Sequence, residues 1–92
     1  MPNSNYVAGR RAEYAAVNEL KKQGAVVAQR TAGSHSLIDI FALMPDGKVR
    51  LIQVKKDDSP LQLDKLGKLH AADNVSIELW HRVNGKWDIH SL

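Results

Sequence analysis

Hydrophobic and polar positions change period several times along this chain, and each change marks an element. From Tyr6 or Val7 to Gln23 the apolar residues recur at helical spacing, with Ala16, Val17 and Leu20 on one stripe, and Gly24 ends the run. Glu13 falls on that same stripe and is expected to point toward whatever the helix covers. Ala25 to Arg30 is rich in β-formers and predicts a first strand. Thr31 to Ser36 is small and polar, a loop.

Leu37 to Lys56 then predicts a β-hairpin around Pro45-Asp46-Gly47. Proline presets the first turn position and glycine takes the left-handed one, which favours a three-residue loop closed by Met44 and Lys48. Counting back along both strands pairs Leu43 with Val49, Phe41 with Leu51 and Asp39 with Gln53. On the other face it pairs Ala42 with Arg50, Ile40 with Ile52 and Ile38 with Val54. A two-residue turn would shift the register by one and separate Asp39 from Gln53 and Lys55. Both faces are largely apolar, which marks central strands.

Ser59-Pro60-Leu61-Gln62 has the cap, first-turn proline and capping-box glutamine of a second helix, which Asp73-Asn74 stops after about Ala72. Val75–Val83, Asn84-Gly85 and Lys86–His90 read as a second hairpin with a tight turn. The expected order is α-β-β-β-α-β-β. The third strand, second helix and fourth strand would form a right-handed crossover between parallel strands. The expected fold is α/β, a mixed β-sheet with flanking helices, and residues 1–92 make one domain.

Composition changes this picture in a few places. A net charge of +3 and a pI near 9.4 permit a nucleic-acid partner without demanding one. The absence of cysteine excludes disulfides, thiolate metal sites and cysteine nucleophiles. No apolar run is long enough to span a membrane and Met1 to Asn5 is no signal peptide, so an intracellular location is expected. His35, His70, His81 and His90 lack zinc-site spacing.

The candidate chemistry lies in the first hairpin. Asp39, Gln53 and Lys55 are set together into apolar strands, and such groups are costly to bury without partners. A metal ion and a phosphate would supply partners. Mg²⁺, or Mn²⁺ in its place, takes oxygen ligands and keeps several waters. Asp39 is the foremost ligand candidate. Gln53 could ligate through its amide oxygen or hold a water. Lys55 could orient an attacking water or steady the charged transition state. Glu13 would reach the same place from the helix; as a plain surface residue it would instead be solvated or pair with Arg10. Arg10, Arg11, Arg30 and Lys56 are candidates for phosphate contacts, and His35 for touching DNA from its loop. Trp80 and Trp87 lie on facing strands and are expected in the core or a subunit interface.

Gly9-Arg10-Arg11-x-Glu13 opening a helix, Ala32-Gly33-Ser34 in the loop, Asp39 in the second strand and Gln53-x-Lys55 in the third resemble the PD-(D/E)XK nucleases. More closely, the run from Gly9 to Lys56 resembles the archaeal-type Holliday junction resolvases, a family found also in phages and viruses. The resemblance implies a restriction-endonuclease-like fold and metal-dependent resolution of four-way DNA junctions, with no small-molecule cofactor and no membrane partner. It implies Ser34 as a loop serine supporting catalysis, with Ser36 its competitor, and the Val54 carbonyl as a further metal ligand. Ile38 stands where the motif often has proline, and Gln53 where a carboxylate is usual. Alternatives are another PD-(D/E)XK endonuclease or nickase, and a catalytically silent DNA-binding module. Two symmetric cuts call for a homodimer. Leu61, Leu63, Leu66, Leu69, Trp80 and Trp87 would supply its interface.

Overall fold

The computed structural model describes residues 4–31, 37–56, 66, 68–69 and 72–92. Helix α1 (Ser4–Lys22) is followed by strands β1 (Val27–Arg30), β2 (Ile40–Leu43), β3 (Val49–Lys55), β4 (Val75–Val83) and β5 (Lys86–Ser91). The strands form one sheet in the order β1-β2-β3-β4-β5. The β3–β4 pair is parallel and the other pairs are antiparallel, so the sheet is mixed. The chain is therefore α/β, with one helix and five strands among the described residues. The helix begins earlier than its apolar stripe, since Ser and Asn are well tolerated in a first turn. It ends where expected: Gly24 has φ 93°, the left-handed conformation that closes a helix.

The expected second helix and its crossover lie largely outside the described residues. Leu66, within that stretch, is helical and fully buried. The Ala72 carbonyl accepts the Val75 N–H, making the turn that leads into β4. Ser34, His35 and Ser36 also lie outside the described residues, as do Leu61, Leu63 and His70.

The first hairpin has the three-residue register. Leu43 pairs with Val49, Phe41 with Leu51, Ala42 with Arg50 and Ile40 with Ile52. The Met44 N–H donates to the Lys48 carbonyl, and Gly47 takes φ 88°. The second hairpin turns on Asn84 (φ 51°) and Gly85 (φ 76°), the two left-handed residues of a type I′ turn.

Each face of the sheet has its own core. On the helix side, Ala12, Ala16, Val17 and Leu20 of α1 pack on Ile40, Ala42, Ile52, Val54 and Trp80. On the far side, Leu66 packs on Ile77 and Leu79, with Leu37 and Ile38 against them. Leu66 and Trp80 are fully buried within the chain, so neither offers the subunit surface expected of it. Leu69 remains partly exposed, and Trp87 packs edge-on against Trp80 with ring centroids 5.3 Å apart.

Candidate active site

The regular ladder between β2 and β3 stops at Ile40, and what replaces it shapes the site. The Asp39 N–H donates to the carbonyl of Ile52, the residue that Ile40 already faces, so two residues of one strand oppose one of the other. This is the geometry of a β-bulge. The side chains record the slip: Ile40 packs on the helix side, whereas Ile38, two residues earlier, packs on the far side. The expected pairings of Asp39 with Gln53 and of Ile38 with Val54 are thus not formed. The Val54 N–H, which a continued ladder would have offered to Ile38, donates instead to the Asp39 carboxylate at 2.8 Å. A short acidic side chain has displaced a ladder bond with its own. The Asp39 carbonyl in turn accepts the Thr31 N–H, and the Thr31 hydroxyl donates to the Ile38 carbonyl, pinning the bulge to the end of β1.

The bulge sets Asp39 at the end of the sheet, where charges from α1, β1 and β3 converge. Burial pushes its carboxyl above the ordinary aspartate range, against the pull of the Val54 N–H. Glu13 pushes it further the same way, while Lys55 and Arg30 pull it back. Each of the three is close enough for its charge to act on Asp39: Glu13 and Arg30 from the helix side, and Lys55 from the end of β3, where strand alternation puts it on the side of Gln53.

Arg30 is held rather than extended into solvent. It pairs with Ile40 in the ladder, which turns its side chain to the helix side. There its Nε donates to Glu13 Oε1 at 2.8 Å, and its guanidinium lies 5.1 Å from the centre of the Tyr14 ring. Glu13 therefore takes Arg30 as its partner on β1. Arg11 is exposed, Arg10 is exposed on the same helix, and Lys56 is half-buried beside Lys55.

Gln53 stands apart from this group. It is 4% exposed and aligned with Leu79, a residue of the far-side core, so it lies across β3 from Val54 and α1. Among the described residues no three His, Asp or Glu side chains come together as a metal-holding group. Among the described residues, the acidic donors of the cluster are Glu13 and Asp39.

No protein-family model, curated protein or solved structure matches this chain.

A second polar cluster lies at the opposite end of the helix-side face, roughly 16 Å away along β3 at the usual strand rise. Arg50 donates through Nε and Nη2 to both carboxylate oxygens of Glu78, at 2.8 and 2.7 Å, and through Nη1 to Gln23. Ser76 Oγ and Trp80 Nε1 also donate to Glu78. Burial alone would raise the Glu78 carboxyl, but the bonds from Arg50, Trp80 and Ser76 outweigh it and hold the group below the ordinary glutamate range. An open cleft of about 500 Å³ lies beside this cluster, lined by Gln23, Arg50 and Glu78 with the Pro45-Asp46 turn. Every polar arm of Arg50 is engaged inside the protein, so this end is built to hold β3, β4 and α1 together. Its signal in the sequence is a lone Arg and a lone Glu inside apolar strand runs, each needing a partner once buried.

Proposed function

We propose that this chain is a metal-dependent, structure-selective endonuclease that resolves four-way DNA junctions by paired symmetric cuts. The observation that carries the reading is the bulge at Asp39, which sets a carboxyl of raised pKa beside Glu13 and Lys55 at the end of β3. An ordinary sheet has no need of a half-buried aspartate against a second carboxylate. A site that takes a divalent cation does, because the cation removes the repulsion between them. The donor set fits a hard ion such as Mg²⁺: two carboxylates, with the Val54 carbonyl as the neutral oxygen the resemblance implies. When bound, the ion would polarise a phosphate oxygen and acidify a water molecule.

Around that ion the chain's own groups divide the work. Asp39 and Glu13 would hold the ion. Lys55 would steady the charge that develops on the phosphate. Arg30 would keep Glu13 in place and offset part of its charge. Gln53 is buried on the far side of β3, and the resemblance implies a supporting role in catalysis for Ser34. The four-way junction as substrate and the homodimer come from the resemblance alone. The restriction-endonuclease-like fold rests on the same resemblance, together with a mixed sheet carrying a helix on the catalytic side.

The test is incubation of a labelled four-way junction, a flap and a linear duplex with Mg²⁺. Symmetric nicks confined to the junction, lost in Asp39→Ala and Lys55→Ala, are the expected result. Cuts in the flap or duplex would make the protein a different nuclease of this type. Tight binding with no cutting at any Mg²⁺ or Mn²⁺ concentration would make it a silent DNA-binding module and overturn the proposal.

A further inference from the structure

We infer that the tip of the β4–β5 hairpin is a second DNA-contacting element, a rigid ridge that carries Arg82 and Lys86 to the phosphate backbone beside the candidate site. The inference rests on the nuclease reading and names a surface which that reading did not include.

The placement follows from the parallel pairing of β3 with β4. Lys55 aligns with His81, so Arg82 and Val83 run on past Lys55, about 7 Å further at the usual strand rise. The hairpin tip therefore projects at the same end of the sheet as Asp39, Glu13 and Lys55. The opposite end is occupied by the Arg50–Glu78 cluster.

The ridge is preorganised. Its turn is two residues long, with Asn84 and Gly85 both in the left-handed region, the geometry that matches strand twist with least slack. Val83 pairs with Lys86 directly below it and Arg82 with Trp87. The Arg82 guanidinium stacks over the Trp87 ring at 4.6 Å, and Trp87 is braced in turn by Trp80. An arginine fixed this way loses little freedom when it meets an anion, and its charge faces an aromatic ring. Lys86 is exposed. Asp88, the acidic residue of β5, is offset in the ladder onto the other face from Arg82 and lies 3.2 Å from His90.

The same stacking decides what the ridge can read. Arg82 lies over one face of Trp87, and Trp80 meets the same ring at 60°, so the ridge presents a guanidinium in front of that ring face. The contact is to phosphate, which positions DNA without reading its sequence. That suits a protein choosing its target by shape.

The experiment compares Arg82→Gln/Lys86→Gln with Lys21→Gln/Lys22→Gln. The second pair removes the same charge from exposed positions at the far end of α1. Binding of a labelled four-way junction is measured without divalent metal from low to moderate salt. The hairpin variant is expected to flatten the slope of log affinity against log salt by about two units, roughly 0.9 for each cation removed, while the control keeps the wild-type slope. Near-UV circular dichroism of Trp80 and Trp87 reports folding. Should Arg82→Gln disturb it, Lys86→Gln alone carries the test at about one unit. A hairpin variant with the control's slope overturns the ridge and leaves the nuclease reading standing. A flattened slope in a protein that cuts no DNA with Mg²⁺ supports the ridge and removes the nuclease reading. Wild-type protein that binds no DNA overturns both.

Discussion

Two arginine–glutamate pairs lie on the helix-side face of this sheet, and they use one chemistry in opposite circumstances. Arg50–Glu78 closes at 2.7 Å with its side chains 17% and 4% exposed, and Arg30–Glu13 closes at 2.8 Å with 28% and 23% exposed. The buried glutamate is surrounded by donors: both arms of Arg50, the Ser76 hydroxyl and the Trp80 indole. Among the described residues, the more open glutamate has one charged donor and a second carboxyl, Asp39, near enough to repel it. The first arrangement completes itself. The second sets two carboxylates against each other, balanced by Arg30 and Lys55, at the end of the sheet where three elements meet. Comparing them separates an ion pair that holds a fold from one that, on the proposed reading, would sit beside a bound cation.

The sharpest way to break the comparison is to cut each pair on the arginine side. Arg50→Ala leaves the Glu78 carboxylate buried without its main partner. Loss of one member of a buried pair costs roughly 3–5 kcal/mol, so urea unfolding followed by Trp80 fluorescence should show a large fall in midpoint, or no folded protein at all. Replacing both members, Arg50→Met with Glu78→Leu, should recover most of that stability, because apolar groups of similar volume fill the space without desolvated charge. An Arg50→Ala protein within about 1 kcal/mol of wild type would show that water reaches this cluster freely.

Arg30→Ala should behave differently. Its pair is partly exposed, and the expected loss is about 1 kcal/mol or less. The larger consequence is electrostatic. With Arg30 gone, Glu13 and Asp39 face each other with Lys55 as the remaining cation of the cluster, and their attraction for a divalent ion rises. Titration calorimetry with Ca²⁺ or Mn²⁺ should give tighter binding than wild type. Weaker binding would mean that Arg30 matters chiefly by holding Glu13 in position.

The contrast also explains what could be read from the chain directly. The β2–β3 register was legible because Pro45-Asp46-Gly47 sets it locally, and the Asn84-Gly85 turn likewise. The convergence of Glu13, Asp39 and Lys55 was legible because charged residues inside apolar, periodic segments need an explanation. The bulge was not. It depends on one carboxylate oxygen finding a backbone N–H 15 residues away, and no local pattern encodes that choice. For the same reason Gln53 was expected beside Asp39, whereas the slip at Asp39 leaves Gln53 across the strand with Leu79. The pairing of Glu13 with Arg30 was not legible, because the two are 17 residues apart and only the folded sheet brings β1 under the helix. Arg50 and Glu78 are 28 residues apart, and their meeting follows from a parallel register that only the folded sheet supplies.

The smallest effect is the most diagnostic. Burial and the neighbouring Glu13 raise the Asp39 carboxyl in the folded protein above its value in the unfolded chain. A group raised in this way favours folding while it is protonated, below the ordinary aspartate range. That contribution is lost as pH rises through the folded value, so at neutral pH the ionised Asp39 is a burden on the fold. Asp39→Asn removes the charge but keeps an oxygen that can accept the Val54 N–H. It should therefore be more stable than wild type at neutral pH, by on the order of 0.5–1 kcal/mol, toward the low end of the range common for single stabilising substitutions. The gain should vanish once acid has protonated the wild-type carboxyl. Adding Mg²⁺ should narrow the gain from the other side, by stabilising wild type and not the variant. Urea midpoints measured with and without Mg²⁺ at neutral and acid pH provide the check. If Asp39→Asn is the less stable protein under all of these conditions, the carboxylate at the bulge is a structural anchor like Glu78, and the two ends of the sheet differ only in degree.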